Sequence, residues 1–254
     1  NLVDEVSPKV ETLLSAKGDN KFPTVLLVDC GAKDNIARCL LKRGVCVNRV
    51  PWNYDIVANV NSFHAIMLSN GPGDPEKCQF LINQLQTLFS LPNFNKPIFG
   101  ICLGHQLMGL AAGFRTYKMA FGNRGHNQPC RFVGTENCLI TSQNHGYALC
   151  AKSTAQNVPD ENSNWHEIFV NQNDKTNEGI AHKTKPFLSV QFHPEHNAGP
   201  HDAEFLFDIF VQSIMSHIEG FDYINMVEQI GLHFSKGQTQ QIPKDIKKVL
   251  ILGS

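Results

Sequence analysis

Residues 24–28, Thr-Val-Leu-Leu-Val, form an apolar run with no polar alternation, and residues 34–42 then carry apolar positions at helical spacing. An unbroken apolar strand suits a parallel sheet covered on both faces, because side chains pointing either way must leave water. The same grammar repeats along the first half: 45–50 predicts a strand, 65–69 another, 78–89 a helix, and 97–101 a short buried strand. The alternation predicts an α/β fold built on a doubly wound, mostly parallel sheet.

After Gly113 the pattern changes. Residues 131–133, 138–141, 166–170, 178–182 and 187–192 predict short strands with no long helix between them, and so a small mixed or antiparallel extension. An amphipathic helix over 202–217, set off by Gly199-Pro200, closes the unit. Residues 1–22 predict no complete element, whereas 248–254, Lys-Val-Leu-Ile-Leu-Gly-Ser, is a strand that opens a further α/β unit; an edge strand of the same sheet is the alternative. The chain thus divides into a leading tail over 1–22, a domain over 23–219, a linker over 220–247 and the start of another domain at 248–254.

Charge and composition narrow the function. Lys and Arg number 22 against 23 Asp and Glu, with no basic stretch carrying interleaved aromatics, so no nucleic-acid partner is expected. No apolar run approaches the roughly 18 residues of a membrane span, and the first residues lack the order of a secretory signal. No membrane partner is expected, and the chain is assigned to the cytoplasm, with the mitochondrion as the alternative. Eight cysteines without C-x-x-C spacing suggest neither a zinc knuckle nor a disulfide framework.

The densest chemical signal is Phe99-Gly-Ile-Cys-Leu-Gly-His-Gln106, a buried strand passing through a glycine-flanked turn into a helix. Gly100 and Gly104 permit the tight turn, and Cys102 is left near a helix N-terminus, where free N–H groups and the helix dipole favour negative charge. A lone cysteine after an apolar strand is ordinarily core filling; the two glycines and the His-Gln pair opening the helix argue for a nucleophile. Its base is His193 in Val190-Gln-Phe-His-Pro-Glu195, at a strand end, with Glu195 two positions on to hold the imidazole in one tautomer. His193, His196 and His201 also admit a metal site, but no cysteine or carboxylate falls at regular ligand spacing, so no metal is assigned. The turn Ser69-Asn-Gly-Pro-Gly-Asp-Pro75 offers amides to a developing oxyanion, or is a plain strand-to-helix loop. Gln143-Asn-His-Gly-Tyr147 offers polar groups to a small ligand, although the isolated string predicts a turn.

These four strings in this order resemble the class I (triad) glutamine amidotransferases, whose motifs are G-x-C-x-G-x-Q and H-P-E. With Thr116-Tyr-Lys-Met119, Gly122-Asn-Arg-Gly-His-Asn-Gln-Pro129 and Asn177-Glu-Gly-Ile180 added, they look like the glutaminase region of eukaryotic carbamoyl-phosphate synthetases, from about residue 22 to 217. The resemblance implies a class I amidotransferase fold, flavodoxin-like, that hydrolyses glutamine to glutamate and ammonia. It makes Cys102 the nucleophile, His193 the acid/base and Glu195 its orienter. It implies oxyanion amides from Gly71 and Leu103, and a glutamine pocket lined by Gly73, Gln106, Asn144, Gly146 and Tyr147, the last often Phe in the family. Implied partners are glutamine and a carbamoyl-phosphate synthetase domain or subunit, fused or bound. That partner uses ATP and bicarbonate, whereas the glutaminase step needs no cofactor and no G-x-x-x-x-G-K-[ST] loop is present to bind ATP here. The family's small subunit begins with a further domain that supplies a serine to the site, and residues 1–23 resemble only its tail. Rival readings are the glutaminase of another triad amidotransferase, a non-catalytic scaffold that keeps the fold, and a cysteine peptidase.

Overall fold

The computed structural model describes residues 1–15, 22–150, 164–220 and 225–237; the strand expected at 248–254 lies outside them. The chain opens with a short helix α1 (Leu2–Val6) and strand β1 (Thr12–Leu14). The α/β part follows as β2 (Thr24–Asp29), α2 (Asp34–Lys42), β3 (Cys46–Pro51), β4 (Ala65–Leu68), α3 (Gln79–Ser90), β5 (Ile98–Ile101) and α4 (Leu103–Ala111). Then come β6 (Thr116–Phe132), β7 (Cys138–Leu149), β8 (Trp165–Asn171), β9 (Asn177–His182) and β10 (Phe187–Val190), and two closing helices, α5 (Phe205–Ile218) and α6 (Met226–Gly237).

Among the described residues these strands form one sheet in the order β1-β3-β2-β4-β5-β10-β9-β8-β6-β7. From β3 to β10 the neighbours run parallel; from β10 to β7 they run antiparallel, as does the edge pair β1–β3. The apolar runs behave as their lack of alternation predicts. Val25 and Leu27 of β2 join one buried cluster with α2 and α5, while Leu26 and Val28 join the other with α3 and α4. Each fully buried Leu or Phe side chain in these two layers contributes about 1.5–3 kcal/mol of transfer free energy. Phe99, packed against the rings of Phe207 and Phe210 at 5.8 and 5.6 Å, ties the central strand to α5.

The chain leaves β2 toward β3 on one side and returns to β4 on the other, so the connections diverge above the carboxyl ends of β2 and β4. A crevice at such a divergence is where open α/β sheets bind ligands.

Three sequence expectations are corrected. Residues 116–132 and 138–149 form a long hairpin, so Gln143–Tyr147 is strand, not turn; register shifts between Lys118 and Asn123 and between Gly125 and Gln128 absorb its irregularity. Most of β6 is exposed or half-buried, which is why no apolar pattern announced it. The leading tail holds two elements, α1 and β1, and is docked: Val3 is buried, and the Ser7 hydroxyl donates to the Asp29 carbonyl at 2.6 Å while accepting from the Trp52 N–H at 2.9 Å. The span expected as linker contains α6, whose Met226 and Ile230 are buried at i,i+4 spacing and whose Phe234 ring lies 5.5 Å from that of Phe132.

Candidate active site

Cys102 is the last residue before α4 and has φ 54° and ψ −101°, a conformation that costs a non-glycine residue on the order of 1–3 kcal/mol. The surroundings impose it. Its N–H donates to the Val190 carbonyl of β10 at 2.8 Å, the Gly104 N–H donates to the Ser69 carbonyl at 3.1 Å, and the Gln106 N–H donates back to the Cys102 carbonyl at 3.2 Å. The start of α4 lies so close to the sheet that a Cβ on Gly104 would stand 2.4 Å from the Leu68 carbonyl oxygen. The Sγ is thereby held at the sheet's carboxyl end, only 5% of the residue exposed, with the Asn144 carbonyl 3.9 Å away.

His193 follows β10, the parallel neighbour of β5, so the thiol and the imidazole project from the tips of adjacent strands. Its backbone N–H donates to the Ser142 carbonyl of β7 at 2.9 Å, fixing the turn. Its Nδ1 lies 2.7 Å from Glu195 Oε1, and because a carboxylate only accepts, Nδ1 carries the proton. Nε2, which makes no other hydrogen bond, is left to accept one from a thiol. Burial pushes the imidazolium's pKa down, but the negative charges of a Cys102 thiolate and of Glu195, with the hydrogen bond to Glu195, reverse this and raise it to about 10. Burial likewise penalises the Glu195 carboxylate; the His193 charge and hydrogen bond and the Lys33 charge outweigh that and hold its pKa below the ordinary value. Lys33, in the loop after β2, places Nζ 3.5 Å from Glu195 Oε1, and the Asn35 side-chain amide donates to the Glu195 carbonyl.

Of the residues assigned to the substrate, Gly71, Gly73, Gln106, Asn144, Gly146 and Tyr147 border one cavity of about 220 Å³ with Cys102 at its floor. That is smaller than the roughly 300–1,000 Å³ of drug-sized sites and suits a small ligand. Gly71 must be glycine, since a Cβ there would meet the Cys30 carbonyl oxygen at 2.3 Å. Leu103 turns its side chain into the core; as the first residue of α4 it has no intrahelical acceptor for its N–H, which is the group assigned to the oxyanion. Gln106 donates to the Tyr147 carbonyl at 2.8 Å and to Gln191 Oε1 at 2.9 Å, locking α4 to β7 and to the end of β10.

Sequence reasoning missed Lys33, Gln191, Pro72, His145 and Arg124. Lys33 carries no local signal, because its proximity to Glu195 arises only when β2 and β10 enter one sheet. His145 and Arg124 lay inside strings already singled out and face the cavity through the hairpin register, which pairs Arg124 with Asn144. Burial holds His145 neutral, its pKa lowered to about 4, and its ring nitrogens meet the Tyr147 carbonyl at 2.9 Å and Gln143 Oε1 at 3.0 Å. Among the described residues no group of three or more His, Cys, Asp or Glu is placed to hold a metal ion; His196 stacks on His126 with ring centroids 4.4 Å apart.

A thiol on a strained strand-to-helix turn, beside an imidazole oriented by a carboxylate, is a candidate cysteine-nucleophile site at the carboxyl ends of the parallel strands β5 and β10. Residues 26–213 match the family model glutamine amidotransferase class-I, and the chain belongs to that family. Over its whole length it is 45% identical to the multifunctional protein pyr1-3 of Dictyostelium discoideum and 46% identical to the multifunctional protein CAD of Squalus acanthias, spanning 11% of each. Over 84% of its length it is 46% identical to the carbamoyl phosphate synthase arginine-specific small chain of Saccharomyces cerevisiae, of which it spans 51%. Among solved structures, a glutamine amidotransferase from Thermotoga maritima superposes with a TM-score of 0.55 at 16% identity, covering 83% of this chain and 90% of that one. At that identity the likeness speaks for the fold.

Proposed function

We propose that this chain is the glutaminase of a glutamine-hydrolysing carbamoyl-phosphate synthetase. The observation that carries the reading is that Cys102 borders a cavity sized for an amino acid while His193, 2.7 Å from Glu195, follows the adjacent parallel strand. The Cys102 thiolate attacks the glutamine side-chain carbonyl carbon. The oxyanion is held by the Leu103 and Gly71 N–H groups, one at a helix start and one on a glycine loop pressed against Cys30. The His193 imidazolium gives its proton to the leaving nitrogen, so ammonia departs and a γ-glutamyl thioester remains on Cys102. His193, now neutral, takes a proton from water as its oxygen attacks the thioester; glutamate and the starting thiolate–imidazolium pair are released. Glu195, with Lys33 behind it, keeps Nδ1 protonated so that Nε2 does the proton transfer. The step uses no cofactor.

Ammonia acts as a nucleophile only while uncharged, so the product has value when delivered directly to an acceptor site. The name of the yeast relative, a carbamoyl phosphate synthase small chain, supports a carbamoyl-phosphate synthetase partner, fused or bound, that takes the ATP and bicarbonate. We place the reaction in the cytoplasm or, alternatively, the mitochondrion. In this reading residues 23–219 together with α6 form the amidotransferase unit. Incubation with glutamine tests it: glutamate forms in the parent, and Cys102→Ser abolishes it. Glutamate absent, with Cys102 inert to a glutamine-like electrophile, would favour a scaffold role.

A further inference from the structure

We propose that Arg124 recognises the α-carboxylate of glutamine and so sets the substrate class of the site; the assignment rests on the glutaminase reading. Glutamine brings its amide to Cys102 and leaves its zwitterionic end toward the cavity mouth. Cys102 is buried at the floor, whereas Arg124 is exposed and borders the same cavity. No other lining side chain carries a positive charge: burial holds His145 neutral, and the Gln106 amide nitrogen already donates to Tyr147 and Gln191.

The guanidinium is placed rather than loose. Its Nη1 donates to the Phe121 carbonyl at 2.7 Å, and Nη2 stands 3.8 Å from where a Cβ on Gly146 would lie. The bulge in β6 makes this possible: Gly122, with φ 65°, passes so close to β7 that a Cβ on it would meet the His145 carbonyl oxygen at 2.5 Å, bringing the Phe121 carbonyl to the guanidinium. One of five N–H donors is thus used, and Arg124 pairs with no carboxylate among the described residues. The remaining fork matches a carboxylate in a two-bond geometry. Arg124 also borders a second cavity shared with Lys33 and His193, but there the Lys33 charge is already committed to Glu195.

The test compares glutamine with 4-aminobutanamide, which is glutamine without its α-carboxylate, in the full-length protein that carries this chain and in its Arg124→Gln and Arg124→Lys variants. Kinetics of glutamate release are read for glutamine. Protection of Cys102 against iodoacetamide, which needs no turnover, is read for both compounds. Arg124→Gln should raise KM for glutamine about tenfold or more with kcat nearly unchanged, and Arg124→Lys should recover part of the loss. Protection by 4-aminobutanamide should be equally weak in parent and variant, and the bare rate of Cys102 alkylation should stay the same. An unchanged KM in Arg124→Gln, or an equal loss for both compounds, overturns the assignment while glutamate release by the parent keeps the glutaminase reading. A parent that releases no glutamate removes that reading, and this one with it.

Discussion

At the scale of single residues, the site is a balance of charge held under cover. His193 is buried between a sulfur and a carboxylate, and its imidazolium is stabilised by both. An unfolded histidine titrates near 6.5, against about 10 in the fold. A raised value means that the stabilising contribution is complete below about pH 6.5 and is lost as pH climbs toward about 10. Denaturant melts should therefore show the parent losing stability from neutral to alkaline pH, with a visibly flatter dependence in His193→Gln. If the two curves run parallel, the imidazolium is not held as described. Glu195→Gln keeps the shape of the side chain but removes the charge that selects the tautomer; turnover should fall by on the order of a hundredfold or more, with little change in KM. The strand-to-helix turn at Cys102 was legible from its flanking glycines. Lys33 was not, since nothing within a few residues of it refers to Glu195.

At the scale of elements, the turn between β5 and α4 decides whether the sulfur points usefully. Gly104 abuts Leu68, and Gly100 is also tight, with a Cβ there 2.8 Å from the Gly104 carbonyl. Gly104→Ala must push α4 away from β4, so it should cost at least about 1–3 kcal/mol and reduce turnover more than its stability loss explains. Calorimetry and glutaminase assays on the same sample check this; full activity would mean that the helix start tolerates displacement. The parallel strands were readable because both of their faces are buried and their sequences say so without alternation. Of the β6–β7 hairpin only the ends at 131–133 and 138–141 were, because β6 is exposed or half-buried along most of its length and the register is shifted by bulges. Helix α6 shows a different failure: Met226, Ile230 and Phe234 do carry a helical stripe, but it is short and its partners, Phe132 and Phe205, are distant in sequence. Ile230→Ala should cost about 2–5 kcal/mol if α6 is an integral layer, and nearly nothing in a thermal melt if it is only a tether.

At the scale of the whole molecule, the site lies on the seam where the parallel half of the sheet meets the antiparallel half. Cys102 follows β5, His193 follows β10, the Gly71 loop follows β4 and the cavity wall at Asn144 to Tyr147 comes from β7. No single element builds the cavity, so the sheet must be complete before the cavity exists. Sequence motifs announced the four pieces, and only the strand order explains why they converge. The central claim is that glutamine hydrolysis passes through Cys102, and acid quenching during turnover followed by peptide mass spectrometry tests it most directly. The account predicts a glutamyl adduct on the peptide that carries Cys102, present with His193 intact and absent in Cys102→Ser, which should release no glutamate. Glutamate released at the parent rate by Cys102→Ser, with no adduct in either protein, would contradict it.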